Sequence, residues 1–303
     1  MNHHTMRTCI SFALFIILFI GDFAASAQSR YNVLFLGNSY TYFNNLPQLV
    51  HDIALSTGDT LVFDSYAPGG YRLADHFNDV NSQNKIKVGG WDYVVIQGQS
   101  QEPITRSSQF INAGAALHKT IKEYNPCAVT MPYMTWGRKN GDINNCFDFP
   151  VMCTYLGMDS ALKSQYLQLS SVVNGEVTPV SVVWNYLRKH LPQLELYDPD
   201  ESHPSAIGSY VAACCFYTCL FKKDPTLITF HFGIEESVAN SIKQAVKTEV
   251  YDKLPNGISK NLHAPVFVMK KEMEKMKLFF LQATVVYNKL ICGILEMERL
   301  PLS

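Results

Sequence analysis

Tyr31-Asn32-Val33-Leu34-Phe35-Leu36-Gly37-Asn38-Ser39-Tyr40-Thr41 reads as a short apolar strand that breaks at a glycine and delivers a serine just past its end. Similar runs, rich in β-branched residues, recur at 60–65, 93–97, 128–131 and 176–180, and with 31–36 they make five expected strands. Helical patterns fall between them. In 46–56 the apolar residues Leu46, Leu49, Val50, Ile53 and Ala54 repeat at helical spacing, and 110–124, 159–173 and 205–220 behave alike. Strands alternating with helices predict a parallel sheet joined by crossover helices, an α/β class chain folded as a three-layer α/β/α sandwich. In such open sheets the ligand site forms beyond the carboxyl ends of the strands, which is where Ser39 falls.

A second motif, Asp200-Glu201-Ser202-His203-Pro204, lies far along the chain and completes the chemistry that Ser39 begins. A serine hydroxyl is a weak nucleophile until an imidazole takes its proton, and the imidazole works best when a carboxylate fixes its tautomer and offsets its charge. Ser39, His203 and Asp200 supply those groups, with Asp198 the alternative acid and helix capping near Ser205 the alternative role for either acid. The Gly-x-Ser turn lacks the second glycine of the α/β-hydrolase elbow, which argues against that superfamily.

On these motifs the chain resembles the SGNH (GDSL-type) hydrolases, secreted esterases, lipases and carbohydrate deacetylases with a flavodoxin-like sheet. The resemblance spans about residues 31–232 and is nearest to a secreted bacterial branch with Gly-Asn-Ser-x-Thr, Trp-Asp-Tyr-Val-Val (residues 91–95) and a closing His-Pro-Ser (203–205). It implies a catalytic Ser39, His203 and Asp200, the acid chosen by the family spacing. It also implies an oxyanion hole made by the Ser39 N–H, a glycine N–H and a side-chain amide. Gly70, with Gly69 beside it, matches the glycine. The family's usual Asp is Asn38 here. Its third-block asparagine is missing too, for the chain reads Gln97-Gly98-Gln99-Ser100-Gln101. Gln97, Gln99 and Ser100 are the candidates for that donor, and Gln99 is the assignment. One lost donor of this kind costs about 2.7–4 kcal/mol of transition-state stabilisation.

With 47% hydrophobic and 17% charged residues, the 303-residue chain has the composition of a folded core and not of a disordered segment. A formal net charge of −1 without a long Lys/Arg run argues against a nucleic-acid partner. Arg7, an apolar run over 10–20 and Ala25-Ser26-Ala27 read as a signal peptide of residues 1–27 cleaved after Ala27, placing the protein outside the cell or in the periplasm, with no integral membrane span in the mature domain. An oxidising compartment lets disulfides persist, and Cys146 and Cys153 are spaced for a local one. Cys214, Cys215 and Cys219 share one helical stretch, where core packing is expected and at most one bond to Cys127. Zinc is the alternative, but no Cys-x-x-Cys pair or histidine cluster accompanies them.

The domain organisation expected is a hydrolase-like domain over 28–255 and a C-terminal helical extension over 256–303 without assigned role. The function implied is a secreted serine esterase acting on a small-molecule or glycan ester, O-acetylated carbohydrate first, with no metal or organic cofactor. A lipase or lysophospholipase, or a catalytically weak carbohydrate-binding protein on the same scaffold, are the alternatives. Trp136 is open to a sugar-binding or a core role, and His51, His76, His118 and His190 read as surface or helix-end residues.

Overall fold

The computed structural model describes residues 28–254. The expected signal peptide (1–27) and the expected C-terminal extension (256–303) lie outside the described residues. Strand β1 (Arg30–Leu36) leads into a single helical turn, α1 (Ser39–Tyr42), and then into α2 (Leu46–Ser56). Strand β2 (Thr60–Tyr66) is followed by α3 (Leu73–Asn78) and α4 (Val80–Lys87), and β3 (Tyr93–Ile96) by α5 (Glu102–Thr105) and α6 (Ser107–Tyr124). After β4 (Val129–Pro132) come α7 (Tyr155–Val172), α8 (Val180–His190), α9 (Ala206–Phe221) and α10 (Glu236–Glu249).

The four strands form one parallel sheet in the order β2-β1-β3-β4. Val33 to Leu36 are fully buried, because helices cover both faces. Val33 and Phe35 pack with α2, α8, α9 and α10; Leu34 and Leu36 pack with α3, α4, α6 and α7. The expected three-layer sandwich is therefore present.

The expected strand at 176–180 is not formed. Thr178 alone bridges the sheet: its N–H donates to Pro132 O and its carbonyl accepts from Met134 N–H, both at 3.0 Å. Pro179 has no N–H to extend the ladder and serves as the N-cap of α8, so the chain leaves the sheet after one residue.

Register fixes the position of the site. Leu36 pairs with Tyr66 on one side and with Ile96 on the other, so β1, β2 and β3 end level. The segments beginning at Gly37, Ala67 and Gln97 leave the same edge together, at the point where the strand order reverses around β1, the usual ligand crevice of such sheets.

Candidate active site

The serine turn is built by residues from three strand ends. Asn38 caps α1 by accepting from the Tyr40 N–H (3.2 Å), while its Nδ2 donates to Tyr71 O (2.8 Å) on the loop after β2. An aspartate could do the first but not the second, which gives the Asn38 departure a structural role. Gln97, just past β3, is fully buried and accepts at Oε1 from the Asn38 N–H (2.9 Å) and Thr41 Oγ1 (3.0 Å). Gly37 must be glycine here, since a Cβ would stand 2.1 Å from Thr41 Oγ1 and 2.7 Å from Gln97 Oε1.

His76 supports the turn from below. It is buried, its Nε2 contacts Gly37 O and its Nδ1 contacts Ser82 Oγ, both at 2.8 Å. A carbonyl can only accept, so Nε2 carries the proton and Ser82 donates to Nδ1. Burial lowers the affinity of this imidazole for a second proton, against the opposing pull of Gly37 O. His76 does lie in the last turn of α3, but the reading of it as a surface residue is corrected; its main partner lies 39 residues away and leaves no local signal.

The second motif forms a tight loop. Asp198 N–H donates to His203 O (2.8 Å), Tyr197 bridges Pro204, and Ser205 N–H returns to Leu196 O (3.0 Å) before Ser205 caps α9. Glu201 takes a left-handed conformation, φ +60°, at the apex. Asp200 Oδ1 accepts from the N–H groups of Ser202 (3.0 Å) and His203 (2.9 Å), and Oδ2 pairs with His203 Nδ1. Partial burial raises the Asp200 carboxyl, but the His203 side chain and these two N–H groups outweigh it and hold the acid below its ordinary range. Asp198 uses its backbone in this loop, and Asp200 is the acid on the imidazole.

His203 Nε2 stands 2.7 Å from Ser39 Oγ. With Nδ1–H directed at the carboxylate, Nε2 is the acceptor for the serine proton. Phe43 stacks on the imidazole face (ring centroids 4.2 Å apart, 12° between planes), and the Tyr40 ring packs against it at 72°. Asn44, also left-handed at φ +51°, donates from Nδ2 to Pro204 O (3.1 Å) and Ser209 Oγ (2.9 Å), clamping the serine segment to the histidine loop. Behind Tyr40 an aromatic stack continues to Trp136 (5.0 Å) and from there to Trp184 (3.7 Å). Trp136 is fully buried, and its Nε1–H donates to Ser202 O (3.2 Å). Its place is the core, supporting the loop that carries His203.

For the oxyanion assignments, the N–H groups of Ser39, Gly69 and Gly70 donate to no group among the described residues. Gly70 sits at φ +74°, a conformation that suits glycine. Gln99 Nε2 donates to Gln101 Oε1 (2.8 Å) and Ser100 Oγ (3.3 Å), and its Oε1 accepts from the Gln101 and Glu102 N–H groups at 2.9 and 3.1 Å. Gln97 spends its amide nitrogen on Gly98 O. Ser100 is buried against Tyr40.

Beneath Gln99 lies a carboxyl that the sequence does not advertise. Glu102 is 1% exposed, its Oε2 accepts from Leu73 N–H (3.1 Å) and Gln99 N–H (3.2 Å), and its Oε1 is buried without a hydrogen-bond partner. Burial pushes this group up to about 7, against those two N–H bonds. The folded chain thus holds a proton that the unfolded chain releases in the usual carboxylate range. Stability is expected to fall as pH rises from that range to about 7, by up to roughly 3 kcal/mol, and to stay lowered above it. Glu102→Gln keeps an oxygen for both N–H groups and removes the ionisation, so urea midpoints at pH 5 and pH 8 should lie closer together than in the wild type. An unchanged difference would rule Glu102 out as the source.

Cys146 and Cys153 are disulfide-bonded, and Cys214, Cys215 and Cys219 are buried free thiols, so none of the three bonds Cys127. Among the described residues no three His, Cys, Asp or Glu side chains gather where they could hold a metal ion, and no helix is long and apolar enough to cross a membrane.

Neither a family model nor a curated protein matches the sequence. Solved structures do match in fold. A candidate SGNH hydrolase from Slackia heliotrinireducens is 25% identical over 63% of this chain and 99% of its own, with a TM-score of 0.54. A DUF4886 family protein from Bacteroides uniformis is 18% identical over 72% of this chain and 94% of its own, with a TM-score of 0.62. The parallel sheet, its helices on both faces and these likenesses together give the chain the fold of the SGNH hydrolase superfamily.

Proposed function

We propose that this protein is an exported serine esterase that removes O-acetyl groups from carbohydrates through Ser39, His203 and Asp200. The observation that carries the reading is the continuous line from Asp200 through both imidazole nitrogens to Ser39 Oγ, 2.7 Å from Nε2. Ser39 Oγ attacks the ester carbonyl carbon as its proton passes to His203 Nε2. The negative charge on the former carbonyl oxygen is met by the N–H groups of Ser39 and Gly70. Gln99 adds the third donor by exchanging its longer bond, that to Ser100 Oγ, for the oxyanion.

Collapse breaks the bond to the alcohol oxygen, which takes the proton from His203 and departs. The acetyl group stays on Ser39. A water then attacks the acyl-enzyme, His203 takes its proton and returns it to Ser39 Oγ, and acetate leaves. Nδ1–H faces Asp200 throughout, so the imidazolium charge is offset at each step. The Cys146–Cys153 disulfide supports export, since such bonds persist in oxidising compartments.

A phosphorylating reagent tests the reading directly. Incubation with diethyl p-nitrophenyl phosphate should add one diethyl phosphoryl group to the peptide holding Ser39 and none after His203→Ala. Label found on another serine, or equal labelling of the His203 variant, would refute the assignment.

A further inference from the structure

We infer that the polar pocket beside Gln99 receives the alcohol part of the substrate, and that this part is a sugar bearing a carboxylate; the inference deepens the esterase reading and rests on it. The pocket, about 740 Å³, shares Gln99 with the proposed oxyanion hole. Arg72 lies on its wall two residues beyond Gly70, on the loop that Asn38 ties to the serine turn. A group in the pocket therefore lies beside the proposed oxyanion donor Gln99.

Its lining is the wrong chemistry for an acyl chain and the right one for a sugar. Gln101, Gln109 and Asn145 present amides, each with donors and an acceptor, and hydroxyl side chains join them; burying a hydrocarbon there would strip these groups of water without replacement. Phe149 supplies one flat apolar surface for the C–H face of a ring. Two of the amides are pinned in advance. Asp142, with its side chain fully buried, accepts from Gln101 Nε2 and from Asn145 Nδ2 (2.9 Å), joining the turn after β3 to the segment clamped by the Cys146–Cys153 disulfide. Preset amides recognise a hydroxyl pattern without first paying to order themselves.

The charge of the pocket selects among sugars. Two arginines, Arg72 and Arg106, line it and no carboxylate does. Arg72 gives Nε and one Nη2 hydrogen to Asp75, leaving further N–H groups for a ligand. Among the described residues Arg106 makes no ion pair, and its side-chain bond there is a long one, 3.4 Å, to Gln109 Oε1. Guanidinium forks match carboxylate geometry, so a uronic acid answers Arg106 where a neutral hexose leaves it without a counter-charge.

A matched pair of probes, mono-O-acetylated methyl glucuronoside and mono-O-acetylated methyl glucoside, differs only at the carboxylate, with p-nitrophenyl acetate as a sugar-free ester. We expect kcat/KM on the acidic sugar to exceed that on the neutral one about tenfold, and Arg106→Gln to erase that ratio while Phe149→Ala lowers both sugars relative to p-nitrophenyl acetate. Equal rates on the two sugars, or an Arg106→Gln loss shared equally by all three esters, would overturn the inference. Calorimetric titration of Ser39→Ala with unacetylated methyl glucuronoside separates the two readings. Binding there with no ester turnover in the wild type defeats only the esterase; turnover of p-nitrophenyl acetate without binding defeats only the acidic-sugar pocket.

Discussion

Ser39→Ala is expected to lower kcat for p-nitrophenyl acetate by about 10⁵–10⁶-fold while KM changes little, because the hydroxyl is needed for bond making and contributes almost nothing to ground-state affinity. His203→Ala should fall by a similar factor. The double variant should be no slower than either single one, since a base without its nucleophile, or the reverse, has no task left. What remains should still exceed uncatalysed hydrolysis, through the free N–H groups of Ser39 and Gly70. Stopped assays on purified variants with matched circular dichroism would measure this. A Ser39→Ala protein that keeps a tenth of the wild-type rate would remove the serine mechanism.

Trp136→Ala carries the second large effect, and it couples stability to catalysis. The indole is fully buried between Tyr40 and Trp184, and its N–H holds Ser202 O, one residue before His203. Truncation should cost about 3–5 kcal/mol, a fall in Tm on the order of 10 °C for a domain of this size. Trp136→Phe separates the two roles. It keeps a stacked ring but loses the hydrogen bond and part of the indole's volume, a stability cost of about 1–3 kcal/mol, yet it should lower kcat because His203 is no longer held at 2.7 Å from Ser39. Thermal melts and kcat at 20 °C, where all three proteins are folded, give the comparison. Wild-type kcat in Trp136→Phe would show that the stack alone positions the loop.

The layers of the sandwich were legible because Val33-Leu34-Phe35-Leu36 is apolar on both faces, a pattern that a central parallel strand imposes and that survives without context. The segment Glu176-Val177-Thr178-Pro179-Val180 shares only β-branched residues with such a strand and fails for a reason visible locally, a proline where the ladder needs a donor. Ser39 and the Asp200–His203 pair could be picked out because each motif is short, and the structure brings them to hydrogen-bond distance. What holds them there could not. Gln97 reaches Asn38 across 59 residues, His76 reaches Gly37 across 39, and Asn44 reaches Pro204 across 160. A lone glutamine, histidine or asparagine looks the same in sequence whether it faces water or anchors a nucleophile. The third oxyanion donor stayed open for the same reason, since neighbouring glutamines differ only in where their amides point.

Ser39 and His203 meet across 164 residues, and the meeting depends on α9 lying against α2. Contacts so distant along the chain form against the largest loop-closure cost and are late events in folding. A refolding chain that has paired its strands but not yet docked α9 holds a serine with no base and is chemically silent. Recovery of ester turnover would then lag recovery of secondary structure, and each active molecule counted in such an experiment would be one in which the whole topology had closed.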